Sequence, residues 1–330
     1  MSGDTQDIIN SIEGLREDFE SFKKNFDISN STPPSINERP YDMLNLPSQG
    51  KFYGGKESLL IRPLTFFEEN ILTSEFLVES GRAINIVLKN LIVDDDIDID
   101  KLLPGDVQAI TMFLRSQSYG DSLDMTMTCG HCNKEAEERF AISGFKMKEV
   151  KYHPNENDEF EISLPKSKVE LKLRLLTFKE QFLLDKKNNS YRERLREMVV
   201  EANTSRDKKV IKKILNSLNL IESRKLRKIL EDVNPGADTK LKYTCGYCGN
   251  GNEMSLGSTS LFIHFPYSHR NNALEEIFLL SHYGKAITWE DASKMSVTNR
   301  RWALNRLNEE IQKKNDAQKK ENAKAKSNSR

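Results

Sequence analysis

All four cysteines of this chain fall in two matching Cys-x-x-Cys knuckles, Thr128-Cys129-Gly130-His131-Cys132 and Thr244-Cys245-Gly246-Tyr247-Cys248. Each knuckle follows a stretch that alternates polar and apolar residues (Leu123 to Thr128, Lys240 to Thr244) and precedes another that contains Glu. That is the strand-knuckle-strand layout of half a zinc ribbon. One knuckle offers two thiolates, and tetrahedral zinc takes four soft ligands. The simplest solution is one structural zinc ion held by Cys129, Cys132, Cys245 and Cys248. Such a shell is closed, with no position left for water, and so is structural rather than catalytic. Two alternatives stay open: half-sites completed between chains, and a pair of redox dithiols. The redox reading is weaker, because neither knuckle opens a helix after a strand, where a lowered thiol pKa is expected. His131 reads as a turn residue. The knuckles lie farther apart than the roughly 15–20 residues of an ordinary ribbon. Separate units packed face to face would explain that distance.

The surrounding sequence repeats in the same order. Leu59 to Leu64 reads as a strand, and Thr65 caps the following helix in a capping box with Glu68. Helices over Gly81 to Ile92 and Pro104 to Ser118 lead to the first knuckle. In the second half, Glu170 to Leu175 alternates as a strand, and Thr177 with Glu180 repeats the capping box. Helices over Tyr191 to Val200, Lys208 to Leu218 and Ser223 to Val233 precede Asn234-Pro235-Gly236 and the second knuckle. Thr65 to Cys129 is 64 residues and Thr177 to Cys245 is 68. This is the signature of an internal duplication. The expected fold class is α+β: two duplicated strand-helices-zinc-knuckle units joined by a four-cysteine zinc ribbon, plus a C-terminal helical segment.

The ends differ from this body. Ile8, Ile12, Leu15, Phe19, Phe22 and Phe26 are spaced 4, 3, 4, 3 and 4, an a/d heptad seam. Residues 1–27 therefore read as an amphipathic, coiled-coil-like helix that self-associates or lies on a partner, the alternative being a helix folded back on the protein's own core. Residues 28–58 form a linker and extended arm, 59–150 the first repeat, and 151–265 the second. Residues 266–312 form the C-terminal helical segment, with helices over Ala273 to Tyr283, after the Thr288 cap, and from Val297 to Ile311. Residues 313–330 are a charged tail, expected to be a frayed helix or disordered. Trp289, Trp302 and Tyr283 are candidate interface anchors, although filling the core of the helical segment is the commoner fate of such residues.

Net charge is zero but uneven. Residues 51–150 carry 11 Lys and Arg against 17 Asp and Glu, whereas 151–235 carry 20 against 14. Faces of opposite sign can orient assembly with neighbours. No run of 18 apolar residues is present, so no membrane span is expected, and the start shows no secretory signal. Cysteines kept as thiolates suit a reducing cytosol.

Several segments resemble one family. Leu46-Pro47-Ser48-Gln49-Gly50-Lys51-Phe52-Tyr53, then Ile61-Arg62-Pro63-Leu64-Thr65-Phe66-Phe67-Glu68-Glu69, resemble the opening of the baseplate hub and hub-assembly proteins of T-even-type contractile-tailed phages. Asp121 to Cys132 is similar to the knuckle of that family. His282-Tyr283-Gly284, Thr288-Trp289-Glu290-Asp291, Met295-Ser296-Val297 and Arg300-Arg301-Trp302 resemble a C-terminal segment of such tail proteins. The resemblance covers residues 41–311. It implies a structural or assembly role in the central hub of the baseplate, with tail hub proteins as partners. The protein would act in the host cytoplasm during assembly or stay in the virion tail. The resemblance carries over no catalytic residue, only the knuckle cysteines.

Two other classes compete with this one. A zinc-ribbon nucleic-acid binder is the alternative, favoured by the basic stretch from Arg206 to Lys228. The zero net charge and the few Lys or Arg near the knuckles (Lys134, Lys240, Lys242) speak against it, so no nucleic-acid partner is expected. An enzyme is not expected either, since no P-loop, G-x-S-x-G or H-E-x-x-H occurs. His131, His153, His264, His269 and His282 are scattered, with His264 and His269 in an expected loop. Asp94 to Asp100 lacks the Gly and closing Glu of a calcium loop and reads as an acidic loop and helix cap.

Overall fold

A computed structural model describes residues 41–328 apart from 149, 151, 188–189, 239 and 256–266. The expected N-terminal helix and linker before Tyr41, and His264, lie outside the described residues.

The body opens with an antiparallel pair, β1 (Asp42–Asn45) and β2 (Ser58–Ile61). Thr65, four residues past β2, caps α1 (Phe66–Leu72), with the Glu68 carboxylate returned to the Thr65 amide at 2.9 Å. Next come α2 (Glu75–Glu79), α3 (Arg82–Leu91) and α4 (Pro104–Tyr119). Pro104 occupies the first turn of α4, where its missing N–H costs nothing. Leu59, Ile61, Leu64, Leu72, Leu88, Leu102, Ile110 and Leu114 form the first core. Each such side chain contributes about 1.5–3 kcal/mol by leaving water.

The second core lies under a three-stranded antiparallel sheet, β5 (Glu159–Leu164), β6 (Val169–Arg174) and β7 (Val199–Ala202). Phe160, Ile162 and Leu164 point inward and alternate with exposed or half-buried partners. The helices on this core are α5 (Phe178–Lys186), α6 (Tyr191–Met198), α7 (Lys208–Ser217) and α8 (Leu220–Val233). Thr177 and Glu180 cap α5 with the predicted box. The sequence predicts a helix to Val200, whereas Val199 and Val200 already belong to β7. Their branched side chains suit a pleated strand better than a helix.

The segment Leu46 to Tyr53 straps the cores together, with Leu46 in the first and Phe52 in the second. Its anchor is Asp106 in the first turn of α4, which accepts from the Ser48 amide at 3.0 Å and the Tyr53 hydroxyl at 2.7 Å. Tyr53 in turn accepts from the Leu103 amide at 2.7 Å. Asp106 is fully buried, and desolvation pushes its carboxyl up to about 6 even though Tyr53 and Ser48 favour the charged form.

The C-terminal layer consists of α9 (Tyr267–Tyr283), α10 (Trp289–Lys294) and α11 (Val297–Asn328). Ala273, Ile277, Leu280 and Ala292 pack on Phe66 of α1. Arg300 is wholly buried and joins Glu69 at 2.6 Å and Glu276 at 2.8 Å. Tyr119 donates to Glu69 at 2.6 Å, and His269 lies 2.9 Å from Tyr119. Burial alone would raise the Glu69 carboxyl. The His269 hydrogen bond, the Arg300 charge and the hydrogen bonds from Tyr119 and Arg300 together outweigh it and hold Glu69 below its ordinary range.

Two expectations change here. His269 sits inside α9, which starts six residues before the predicted Ala273. Tyr283, Trp289 and Trp302 are 52%, 47% and 69% exposed and do not fill the core; on α11 the inward positions are taken by Val297, Arg300, Leu304 and Leu307 instead of Trp302. Helix α11 runs through the charged stretch from residue 313 to Asn328.

Two predictions follow from the environment of α4. A Cβ at Gly105 would stand 1.9 Å from the Pro235 carbonyl oxygen. Gly105→Ala must therefore move backbone, and a loss of about 3 kcal/mol is expected in urea unfolding. The raised folded-state pKa of Asp106 means that the native chain binds this proton more tightly than the unfolded chain does. Its contribution is best below about pH 4, falls as pH rises towards 6 and is flat above. Asp106→Asn removes that dependence. The variant should gain on the wild type by about 2 kcal/mol between pH 4 and 6, measured by unfolding at each pH; an opposite trend would refute the assignment.

Candidate metal centre

Two hairpins carry the cysteines: β3 (Ser122–Thr128) with β4 (Glu135–Ala141), and β8 (Lys240–Thr244) with β9 (Gly251–Ser255). Their tips share one backbone device. The Cys129 amide donates to the Lys134 carbonyl at 2.9 Å, and the Cys245 amide donates to the Asn250 carbonyl at 3.0 Å. Asn133 and Gly249 each stand four residues after the first cysteine and adopt left-handed backbone, φ 55° and 69°. Asn and Gly are the residues that tolerate that region best.

The hairpins are held together along their length. At the base, Met147 bridges Ala237, the Lys148 amide donates to the Gly236 carbonyl at 2.8 Å, and Gln108 accepts from the Ala237 amide at 3.1 Å. In the middle, Leu123, Ile142, Phe145 and Leu241 form a small core with Met112 of α4. Towards the tips, the Tyr243 hydroxyl donates to the Thr128 carbonyl at 3.1 Å.

This docking brings the thiols together. Cys129 lies 3.7 Å from Cys248, and Cys132 lies 3.7 Å from Cys245. All four Sγ atoms fall within 4.8 Å of one another. A tetrahedron of sulfurs bonded at about 2.3 Å has edges of about 3.8 Å, so the donor set and its spacing fit a metal ion. All four cysteines are free, with Cys129 and Cys245 buried and Cys248 exposed. The Cys132 and His131 amides lower the Cys129 thiol to about 6. Cys132 behaves oppositely: the Lys134 amide favours its thiolate, but desolvation and hydrogen bonds with the other thiols push it up to about 11. Unscreened thiolates this close cannot all ionise, and a bound cation removes that conflict.

The four cysteines named from sequence are thus the four brought together, and His131 is an exposed turn residue. Asn252 was missed. Its Oδ1 accepts from the Gly130 amide at 3.0 Å, and its Nδ2 lies 3.5 Å from the Cys129 sulfur. Its one sequence signal is its place on the return strand, four residues after Cys248. In the acidic loop, Asp94 accepts from the Leu60 amide and Lys56, both at 2.6 Å, and Asp98 caps the turn at Ile99. Those carboxylates are used in holding structure.

Packed helical layers braced by paired hairpins and a cysteine cluster define an α+β protein with a site that could hold a metal ion. The chain belongs to the family of T4 bacteriophage base plate proteins, which matches residues 40–264. It is therefore a component of a phage tail baseplate, and its partners are other baseplate proteins. No curated protein and no solved structure matches the chain. The matched span holds both hairpins and ends before α9, so the C-terminal layer lies outside it. No helix among the described residues is long and apolar enough to cross a membrane.

With the thiols reduced and free of metal, iodoacetamide should label the exposed Cys248 before the buried Cys129 and Cys245, because access limits the reaction of the buried pair. Peptide mass spectrometry gives the order.

Proposed function

We propose that this chain is a zinc-stapled scaffold of the baseplate's central hub, acting in hub assembly or remaining in the tail. One structural zinc held by Cys129, Cys132, Cys245 and Cys248 joins two duplicated units, residues 59–150 and 151–265, as a split zinc ribbon. The observation that carries this reading is the convergence of four thiols from two hairpins more than 110 residues apart in sequence. The two strand-capping box-helices-hairpin sequences and the matching turns at Asn133 and Gly249 support the duplication. The role is non-enzymatic: the thiols fill a closed shell and leave no position for substrate. Residues 1–27 contact a partner or a second copy, and exposed Tyr283, Trp289 and Trp302 are interface anchors at the other end.

The test is metal content and company together. Chain purified without chelator should carry one zinc per molecule by elemental analysis, and a tagged copy expressed during infection should bring down baseplate hub proteins. Metal-free protein with oxidised thiols would refute the staple, and recovery of nucleic acid without tail proteins would refute the scaffold role. Asn252→Ala removes the contact that orients Cys129, so zinc affinity should fall about tenfold in competition with a chromogenic chelator.

A further inference from the structure

The excess positive charge of the second half is concentrated in one stretch. Residues 185–234 carry 14 Lys and Arg against 8 Asp and Glu, which accounts for the whole imbalance of residues 151–235. Within this stretch, α6 and α8 open a cleft of ≈ 370 Å³ closed on its third side by α5. Its size lies in the range of sites that hold a few side chains of a ligand. Leu176, Met198 and Leu230 supply the apolar floor. Tyr191, Arg194 and Arg227 stand in the wall.

Two features of that wall go beyond a solvated basic surface. The Arg227 guanidinium lies over the Tyr191 ring, 4.4 Å from its centroid, so both are held in place although exposed. Arg194 pairs with Asp185 at 3.0 Å, yet its Nε is buried without a hydrogen-bond partner. An orphaned buried donor asks for an acceptor. Glu231 is the carboxylate among the lining residues, and Asp185 outside the lining engages one nitrogen of Arg194, which leaves the buried Arg194 Nε and the Arg227 guanidinium facing the cleft.

We infer that this cleft receives an acidic peptide segment of a neighbouring baseplate protein, with an apolar side chain on the Leu176-Met198-Leu230 floor and a carboxylate at Arg194 and Arg227. Arginine and tyrosine over an apolar floor are the residue types that dominate interface energetics, and paired arginines suit a carboxylate. The site is separate from the cysteine cluster and does not depend on zinc.

The test uses the full chain and an array of short overlapping peptides that cover the other tail proteins of the same phage. Acidic peptides with a large apolar residue should be enriched, and the strongest is then titrated by fluorescence anisotropy. Arg227→Glu and Tyr191→Ser should each weaken it about tenfold or more, or about 1.4 kcal/mol. Lys212→Glu, on an exposed position of α7, should change it less than about threefold. Thermal unfolding checks that the variants fold, and Arg227→Gln replaces Arg227→Glu if that one does not. The inference fails if no acidic peptide binds or if Lys212→Glu weakens binding as much as Arg227→Glu. It also fails if a single-stranded oligonucleotide of equal charge binds more tightly than every peptide.

Discussion

A two-stranded hairpin has too little face to bury and is marginal alone in water. The geometry around the cysteines follows from how this fold compensates for that. Each knuckle hairpin uses the other as its second layer, with Leu123 and Leu241 sharing one small core. That layer sits on α4 through Met112, and its base is fixed where Gly105 meets Pro235 and Gly236. The thiols converge because backbone segments far below them touch. A metal ion would lock an approach that packing has already arranged.

Helix α4 is the pillar of this arrangement. A helix buried on most of its faces belongs at the centre of a protein, and nearly all of α4 from Gly105 to Leu114 is buried. Asp106 near its start holds the strap from Ser48 to Tyr53, and Tyr119 at its end holds Glu69 against His269. Buried charges of this kind contribute little net stability when paired, yet cost about 3–5 kcal/mol when one partner is removed. Their effect here is to fix which surfaces meet: Arg300 matches Glu69 and Glu276 only with α9 and α11 in their observed seats.

Features that depend on nearby residues were legible in the sequence. The Thr65, Thr177 and Thr288 caps and the two knuckles are each determined within a few positions, and each stands where its spacing placed it. Features that depend on distant partners were not. The Glu69–Arg300 pair spans 231 residues, and nothing local marks either residue as buried. The inward faces of α9 and α11 are set by Phe66, so spacing alone could not show that Trp302 turns outward. Asn252 touches the first knuckle from the second hairpin, a relation visible only once the two are side by side. Strand β5 has the alternation of a strand but stands between loop segments, and its inward face becomes recognisable when β6 pairs with it.

Helix α11 is 32 residues long, about 48 Å at 1.5 Å per residue. Among the described residues, its apolar contacts with α9 and α10 reach as far as Leu307. A free peptide of such polar sequence would rarely start a helix, because the first turn is the unfavourable step. Here that turn is already formed on α1 and α9, and elongation needs only hydrogen bonds and short-range pairs such as Arg306 with Glu310. The anchored end thus acts as a template for the solvated one. Whatever meets the far end of this rod does so at a distance set by residue count, so that inserting or deleting one turn would change the spacing by about 5.4 Å.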